Sequence, residues 1–293
     1  MTAPDTPLDT TNSASSASTY VARAKLNLGL AVLGKRDDGF HDIDSLMVRL
    51  NLADTLTLTP TEAGIQLTVH GDTAAGVPDD ASNLAHKAAQ LYLDAADVAA
   101  GVAIDIHKKI PVAAGLGGGS ADAAAVLHGL AELYPTGLDL FPLAMQLGSD
   151  VGFFVLDVPA ARARGRGEML ERVYLPNLHF VLVNPGVAVS AKEAYQAVQA
   201  YSDELDVRGI TAGLTSGQVP DFSNALESGI VRAYPQIAEV LAALADSDLQ
   251  GVRMTGSGST CFGIAKDSAR AEKIAQILQA AYPNWWVQAV KSD

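Results

Sequence analysis

The chain has 293 residues, 48% of them hydrophobic and 18% charged, which is ample apolar material for a buried core and excludes a disordered or low-complexity protein over most of the length. Length alone suggests two domains. With 20 basic and 33 acidic side chains the net charge is −13, which repels a nucleic-acid backbone and an anionic membrane surface, so neither is expected as a partner. The single cysteine, Cys261, excludes an internal disulfide and a thiolate metal cluster, and the six histidines show no close zinc-ligand spacing.

Residues 1–19 are polar, acidic and small, with neither the basic start nor the apolar stretch of a secretory signal. They are expected to form a disordered tail on a cytoplasmic protein, and no apolar run reaches the length of a spanning helix. From Tyr20 to Val69, alternating and β-branched residues predict strands in YVARAKLNLGLAVLG, SLMVRLNL, DTLTLTP and GIQLTVH, separated by turns at GKRDDGFHD, AD and TEAG. Asn83 is a good N-cap for the helix NLAHKAAQLYLDAAD, and the strand GVAIDIHKKI then runs into Pro111 and a dense glycine loop. A helix opens near Ser120, and a second, DLFPLAMQL, stops at Gly148 ahead of Ser149 and Asp150.

Residues 151–173 read as strand-rich, LHFVLVNPG as strand and turn, and AKEAYQAVQAYSDEL as helix. A polar connection follows over 203–222, then a helix broken near Pro235, the strands QGVRMTG and STCFGIA, a helix from 268 and a closing strand NWWVQAV. The boundary is placed near 170–178. This predicts an α+β molecule with partly antiparallel sheets: a tail (1–19), an N-terminal domain (20–173) and a C-terminal domain (174–293).

The most informative stretch is Pro111-Val112-Ala113-Ala114-Gly115-Leu116-Gly117-Gly118-Gly119-Ser120-Ala121, between a strand and a helix. Free amides and the helix dipole favour an anion at such a junction, and glycines let the backbone approach it without a Cβ clash. Four glycines in five positions are entropically costly for a mere turn. Ser120 either caps the helix or offers its hydroxyl to a phosphate or its magnesium. The Walker, dinucleotide-fingerprint and nucleophile-elbow patterns are all missing. A structural turn feeding an Ala-rich helix is the bland alternative.

The loop PVAAGLGGGSADAA resembles the signature of the GHMP kinases, the galactokinase, homoserine, mevalonate and phosphomevalonate kinase superfamily. Two further segments match it in order: Ala24-Lys25-Leu26-Asn27-Leu28 and Thr255-Gly256-Ser257-Gly258-Ser259. The segment AKLNLGLAVLGKRDDGFHDIDSLM, with Ser82-Asn83-Leu84, Leu147-Gly148-Ser149-Asp150-Val151 and Asp221-Phe222-Ser223-Asn224, is most similar to the branch acting on a cytidine diphosphate derivative of methylerythritol. The resemblance implies a ribosomal-S5-domain-2-like N-terminal domain, a ferredoxin-like C-terminal domain, and ATP-dependent phosphorylation of the 2-hydroxyl of that substrate. The alternatives are another small-molecule kinase of the superfamily, of homoserine or mevalonate type, and a non-catalytic nucleotide-binding regulator.

Carried onto this chain, the resemblance implies Lys25 and Asp150 as a catalytic pair. An ordinary carboxylate is a weak base toward an alcohol, so Asp150 would take the hydroxyl proton late, with the Lys25 ammonium holding it ionised and orienting it. Read alone, Lys25 is equally a solvated strand lysine and Asp150 a turn residue. ATP is expected on residues 111–121, with Asn83 and Lys109 as further contacts and Mg²⁺ accompanying the triphosphate, its ligands unassigned. Asp122 reads as structural. Asn27 would touch substrate near the reacting hydroxyl. Phe40, where the family pattern has tyrosine, would stack on cytosine, His41 would hydrogen-bond its edge, and Tyr195 is the candidate second stacking face. Arg162, Arg164 and Arg166 alternate to one face of a strand and read as a solvated edge, with a diphosphate contact as the alternative, and nothing fixes the oligomeric state.

Overall fold

A computed structural model describes residues 17–293. Strands β1 (Ser18–Lys35) and β2 (His41–Thr61) form a long antiparallel hairpin, followed by β3 (Ile65–His70), α1 (Leu84–Ala95), β4 (Gly101–His107) and α2 (Gly118–Leu133). Helices α3 (Leu140–Leu147) and α4 (Ser149–Val155) lead to β5 (Ala160–Gly165) and β6 (Met169–Arg172). The second half comprises β7 (His179–Asn184), α5 (Ala191–Gln196), α6 (Val207–Thr215), α7 (Glu227–Ala233) and α8 (Pro235–Ala245). It closes with β8 (Gln250–Met254), β9 (Cys261–Ala265), α9 (Ser268–Ala281) and β10 (Trp286–Lys291).

The strands make two sheets. In the first, β2 pairs with β1 along one edge; along the other, its first half takes β5 and its second half β4. The second sheet has the order β10-β7-β9-β8, antiparallel throughout, which is the ferredoxin-like arrangement. Helices α1 to α4 cover one face of the first sheet through Leu56, Leu58, Tyr92, Ile104, Val126 and Phe153. A second apolar cluster joins the sheets, with Leu26, Leu28, Leu46 and Leu50 against Phe180, Leu182, Phe262 and Ile264. Each such fully buried side chain contributes roughly 1.5–3 kcal/mol.

Several elements differ from the expectations. The turn at Ala53-Asp54 does not form, and β2 runs through it. The Asp54 carboxylate serves another segment instead, accepting from the amides of Lys109 (2.5 Å) and Ile110 (2.9 Å). Residues 151–155 are helix α4, not strand; a short apolar run carries no period that separates the two, and this one is buried under α2 and α3. The helix expected through 205 ends at Gln196, because the chain beyond is drawn onto the hairpin by Ser202 N to Val32 O (2.8 Å) and Leu205 N to Asp44 Oδ2 (2.8 Å). The supposed connection 203–222 contains α6, capped by Asp206 and buried through Ile210 and Leu214, an i, i+4 pair. Residues 1–16 of the expected tail lie outside the described residues, whereas Ser18 and Thr19 already pair with Leu58 and Thr57.

Arg162 is not on a solvated edge. Strand β5 sits between β2 and β6, and Arg162 forks onto the buried Asp44 carboxylate at 2.8 and 2.6 Å.

Candidate active site

The glycine loop, the β1–β2 hairpin and several segments from both halves of the chain line one cleft of about 1120 Å³. Its floor is β1. Register shifts between Arg23 and Lys25 and between Asn27 and Gly29 mark bulges on either side of Lys25-Leu26-Asn27. Such bulges re-aim side chains: Ala24, Leu26 and Leu28 enter the inter-sheet core, while Lys25 and Asn27 face the cleft. The Lys25 amide donates to Leu116 O at 2.9 Å, tying the strand to the loop.

Lys25 is 4% exposed. Its ammonium donates to Asn27 Oδ1 at 2.5 Å and lies 3.6 Å from Asp150 Oδ2. The Asp150 side chain, 41% exposed, stands in the first turn of α4, which Gly148 separates from α3. The structure therefore brings together the two charged groups that lie 125 positions apart in the chain.

The loop ends in a helix whose N-cap is Gly117, in the left-handed region at φ 71°, with no side-chain capping bond. Ser120 therefore does not cap α2, and it lines the cleft. A Cβ at Gly117 would lie 3.0 Å from Lys25 Cγ and 3.1 Å from the Phe154 ring. At Gly119 the nearest atom would be Leu84 Cδ1 at 3.8 Å, so a side chain there would enter the open space. The loop thus has a bare surface facing the cleft, suited to an anion. The loop's far side rests on the C-terminal glycine segment, where a Cβ at Gly115 would collide with Thr255 O. That segment is held by Asn224, whose Nδ2 donates to Met254 O and Gly256 O, both at 2.8 Å.

Of the residues expected around a nucleotide, Asn83, Pro111 to Gly115 and Gly117 to Ser120 line the cleft. Asn83 also caps α1, accepting from Ala85 N at 2.9 Å. Leu116 and Ala121 instead point into the core, and Lys109 is exposed and does not line the cleft. Its neighbour Lys108 does so, buried between Asp54 and Asp122 and donating to Asp122 Oδ2 at 2.6 Å. Burial pushes the Asp122 carboxyl up to about 7, and its Oδ1 has no partner among the described residues.

Phe40, His41 and Tyr195 also line the cleft. His41 stacks on Tyr195 with centroids 5.2 Å apart and planes at 17°. Burial, with the Asp150 charge adding to it, pushes the Tyr195 phenol up to about 12, so it is a neutral hydrogen-bonding group. Phe40 is 53% exposed, and Arg166 Cζ lies 4.1 Å from its ring centroid. Of the two readings open for Arg166 in the sequence, the solvated edge does not hold, since Arg166 lines the cleft. No group of three or more His, Cys, Asp or Glu among the described residues converges to hold a metal. No helix among them is long and apolar enough to cross a membrane.

Comparison with known proteins places both halves of the chain in one family. The family model for the GHMP kinases N terminal domain matches residues 83–162, and that for GHMP kinases C terminal matches 190–284. A 4-diphosphocytidyl-2-C-methyl-D-erythritol kinase of Deinococcus radiodurans is 45% identical, over 93% of this chain and 92% of that protein. One of Thermus thermophilus is 41% identical, over 90% of this chain and 94% of that protein. A crystal structure of 4-(cytidine 5'-diphospho)-2C-methyl-D-erythritol kinase superposes with a TM-score of 0.82 at 40% identity, covering 94% of this chain and 100% of that one. A homoserine kinase from Cytophaga hutchinsonii, at 20% identity and TM-score 0.70, covering 99% of this chain and 97% of that one, shares the fold.

Proposed function

The chain belongs to the GHMP kinase family, and we propose that it phosphorylates the 2-hydroxyl of 4-diphosphocytidyl-2-C-methyl-D-erythritol with ATP, giving the 2-phosphate and ADP in non-mevalonate isoprenoid biosynthesis. The observation that carries this reading is the Lys25–Asp150 pair, at 3.6 Å, in one cleft with the bare glycine cradle and with Phe40, His41 and Tyr195. From Met47, the partner of Asn27, to His41 is six positions of β2, a span of up to about 20 Å. That suits an acceptor held by its base at Phe40 and His41 with its alcohol at Asn27.

In this reading the triphosphate lies against the amides of residues 115–121, and the acceptor oxygen is aimed at the γ-phosphorus. As the new P–O bond forms and the bond to the β-phosphate oxygen breaks, Asp150 takes the hydroxyl proton and ADP departs. Through a loose transition state, positioning and charge matter more than basicity. The Lys25 ammonium has one N–H beyond those directed at Asn27 and Asp150, and that donor meets the transferred phosphoryl oxygens. Magnesium would come with the triphosphate, with Ser120 on the cradle as a candidate oxygen donor, and would neutralise phosphate charge there. Cytosine stacks on Phe40, whose lack of a phenolic hydroxyl removes a hydrogen bond but leaves the ring face. Tyr195 closes the base site beside His41.

A coupled assay of ADP release with four acceptors tests the reading: the cytidyl substrate, methylerythritol phosphate, homoserine and mevalonate. Turnover with the cytidyl substrate alone, and a new phosphorus resonance on the tertiary 2-oxygen, is expected. Preferential turnover of homoserine or mevalonate, or no ADP release with any, would overturn it.

A further inference from the structure

The Lys25 ammonium does not hold its place unaided. It begins a buried chain of hydrogen bonds: Lys25 Nζ donates to Asn27 Oδ1 (2.5 Å), Asn27 Nδ2 to Ser45 Oγ (2.7 Å), and Ser45 Oγ to Gly29 O (2.9 Å). Lys25, Asn27 and Ser45 are 4%, 6% and 0% exposed. The chain starts at a group that can only donate and ends at one that can only accept, so its protons have a single ordering. Ser45 has one hydroxyl proton, and spending it on Gly29 O leaves Oγ as an acceptor. An acceptor at that point selects the Asn27 rotamer that turns Nδ2 toward Ser45 and Oδ1 toward the ammonium.

The backbone is built for this. Ser45 lies on β2 opposite Leu30, and the register shift between Asn27 and Gly29 places the Gly29 carbonyl within reach of its hydroxyl. The Asn27 amide is separately anchored to Thr255 Oγ1 at 2.8 Å, so its backbone stays in place and the side-chain amide is the part left to be oriented. We propose that Ser45 is a positioning residue for phosphoryl transfer, setting the Asn27 amide and through it the Lys25 ammonium beside Asp150. This rests on the assignment of Lys25 and Asp150 to the transfer step.

Without the Ser45 hydroxyl, Asn27 Nδ2 is buried and unpaired, and nothing holds the amide in the orientation that turns Oδ1 to the ammonium. A turn of the amide toward any other acceptor takes Oδ1 away from Lys25 Nζ, and the ammonium moves off its line. The glycine cradle does not contain Ser45, so nucleotide binding is untouched.

The test is a mutant cycle in the full-length protein with ATP and the cytidyl substrate, reading kcat and KM for ATP separately. Ser45→Ala is expected to lower kcat at least tenfold with KM for ATP within twofold. Ser45→Thr, which keeps the hydroxyl, should retain at least a third of wild-type kcat. In an Asn27→Ala background, Ser45→Ala should change the single-turnover rate less than twofold, because Ser45 acts through Asn27. If Ser45→Ala does not fold, Ser45→Cys, similar in volume but a poor hydrogen-bonding partner, should lower kcat at least fivefold. A folded Ser45→Ala or Ser45→Cys enzyme with kcat within twofold of wild type overturns the proposal. So does an equal loss in both backgrounds, or a Ser45→Thr enzyme as impaired as Ser45→Ala. An inactive wild-type enzyme would defeat the kinase reading itself, whereas an active wild type with indifferent Ser45 variants defeats only this inference.

Discussion

A buried ammonium costs several kcal/mol unless its donors find acceptors, and Lys25 meets that demand with one neutral amide oxygen and one half-exposed carboxylate. Alternation showed that the Lys25 segment is a strand with Lys25 and Asn27 on one face and Leu26 on the other, but only the family resemblance marked Lys25 as more than a solvated strand lysine. Its depth was not legible, since burial comes from the bulges and from the loop carbonyl of Leu116. Phe40 and His41 were legible only through the family resemblance of the segment that carries them. Arg166, however, reaches Phe40 only because β5 pairs with β2, Gly165 opposite Ile43, across more than a hundred residues. No local pattern carries such a contact. At Phe40 the account makes a direct prediction, since stacking on a base is worth about 1–3 kcal/mol. Phe40→Leu should raise KM for the cytidyl substrate roughly tenfold with KM for ATP unchanged, while Phe40→Tyr stays within about threefold. Steady-state kinetics with both substrates varied would show it, and an unmoved KM in Phe40→Leu would remove Phe40 from the base site.

The glycine loop was the element most legible in the chain, yet its glycines do different things. Gly117 needs its positive φ, and a Cβ there would press on Lys25, so substitution at Gly117 disturbs the ammonium as well as the cradle. Gly119 has ordinary helical backbone and open space beside it, which separates ligand exclusion from folding. Gly119→Ala should keep wild-type thermal stability, since alanine favours a helix over glycine by about 1 kcal/mol, and yet weaken ATP binding at least tenfold by calorimetry. Unchanged affinity in a folded Gly119→Ala protein would move the triphosphate elsewhere.

Beneath the loop, Asp54 and Asp122 share the one ammonium of Lys108. Asp54 is further satisfied by two backbone amides, whereas Asp122 Oδ1 has no partner among the described residues, so Asp122 carries the proton near neutrality. Its carboxyl is raised from 3.8 to about 7 chiefly by burial. Between those values the folded protein holds a proton that the unfolded chain has lost, so stability falls as pH rises through that window. The wild type should lose on the order of 2 kcal/mol from this group between pH 5 and pH 8. Asp122→Asn should flatten the slope. Urea unfolding across that range decides it, and an identical slope in Asp122→Asn would contradict the assignment. None of this was readable from spacing, because Asp54 looked like a turn residue until its carboxylate was seen to bind the strand-to-loop junction. The segments of α4 and α6 were misread for related reasons: short apolar runs have no period of their own, and Ile210 and Leu214 are a single i, i+4 pair in a stretch weakened as a helix signal by Gly209 and Gly213.

At the scale of the whole molecule, the cleft exists because two sheets share one core. Leu26 and Leu28 pack with Phe180 and Phe262, while the opposite side of the same strand carries Lys25 and Asn27. The alternation of β1 therefore does two tasks, joining the sheets and furnishing the site, and the C-terminal glycine segment closes the loop from behind through Thr255 and Gly256. The α+β class and the order of most elements were legible as local patterns. The long-range pairing that brings residues 25, 150 and 255 to one place was not, since it depends on which strands meet. The central claim is that a bare glycine cradle binds the triphosphate while Lys25 and Asp150 act only on its transfer. The most direct measurement is single-turnover transfer of the γ-phosphoryl group in Asp150→Asn, beside its ATP dissociation constant. The account predicts a transfer rate at least 100-fold below wild type, in the range typical of a lost proton acceptor, with ATP affinity within threefold. A near-normal transfer rate, or a loss matched by equally weakened ATP binding, would contradict it.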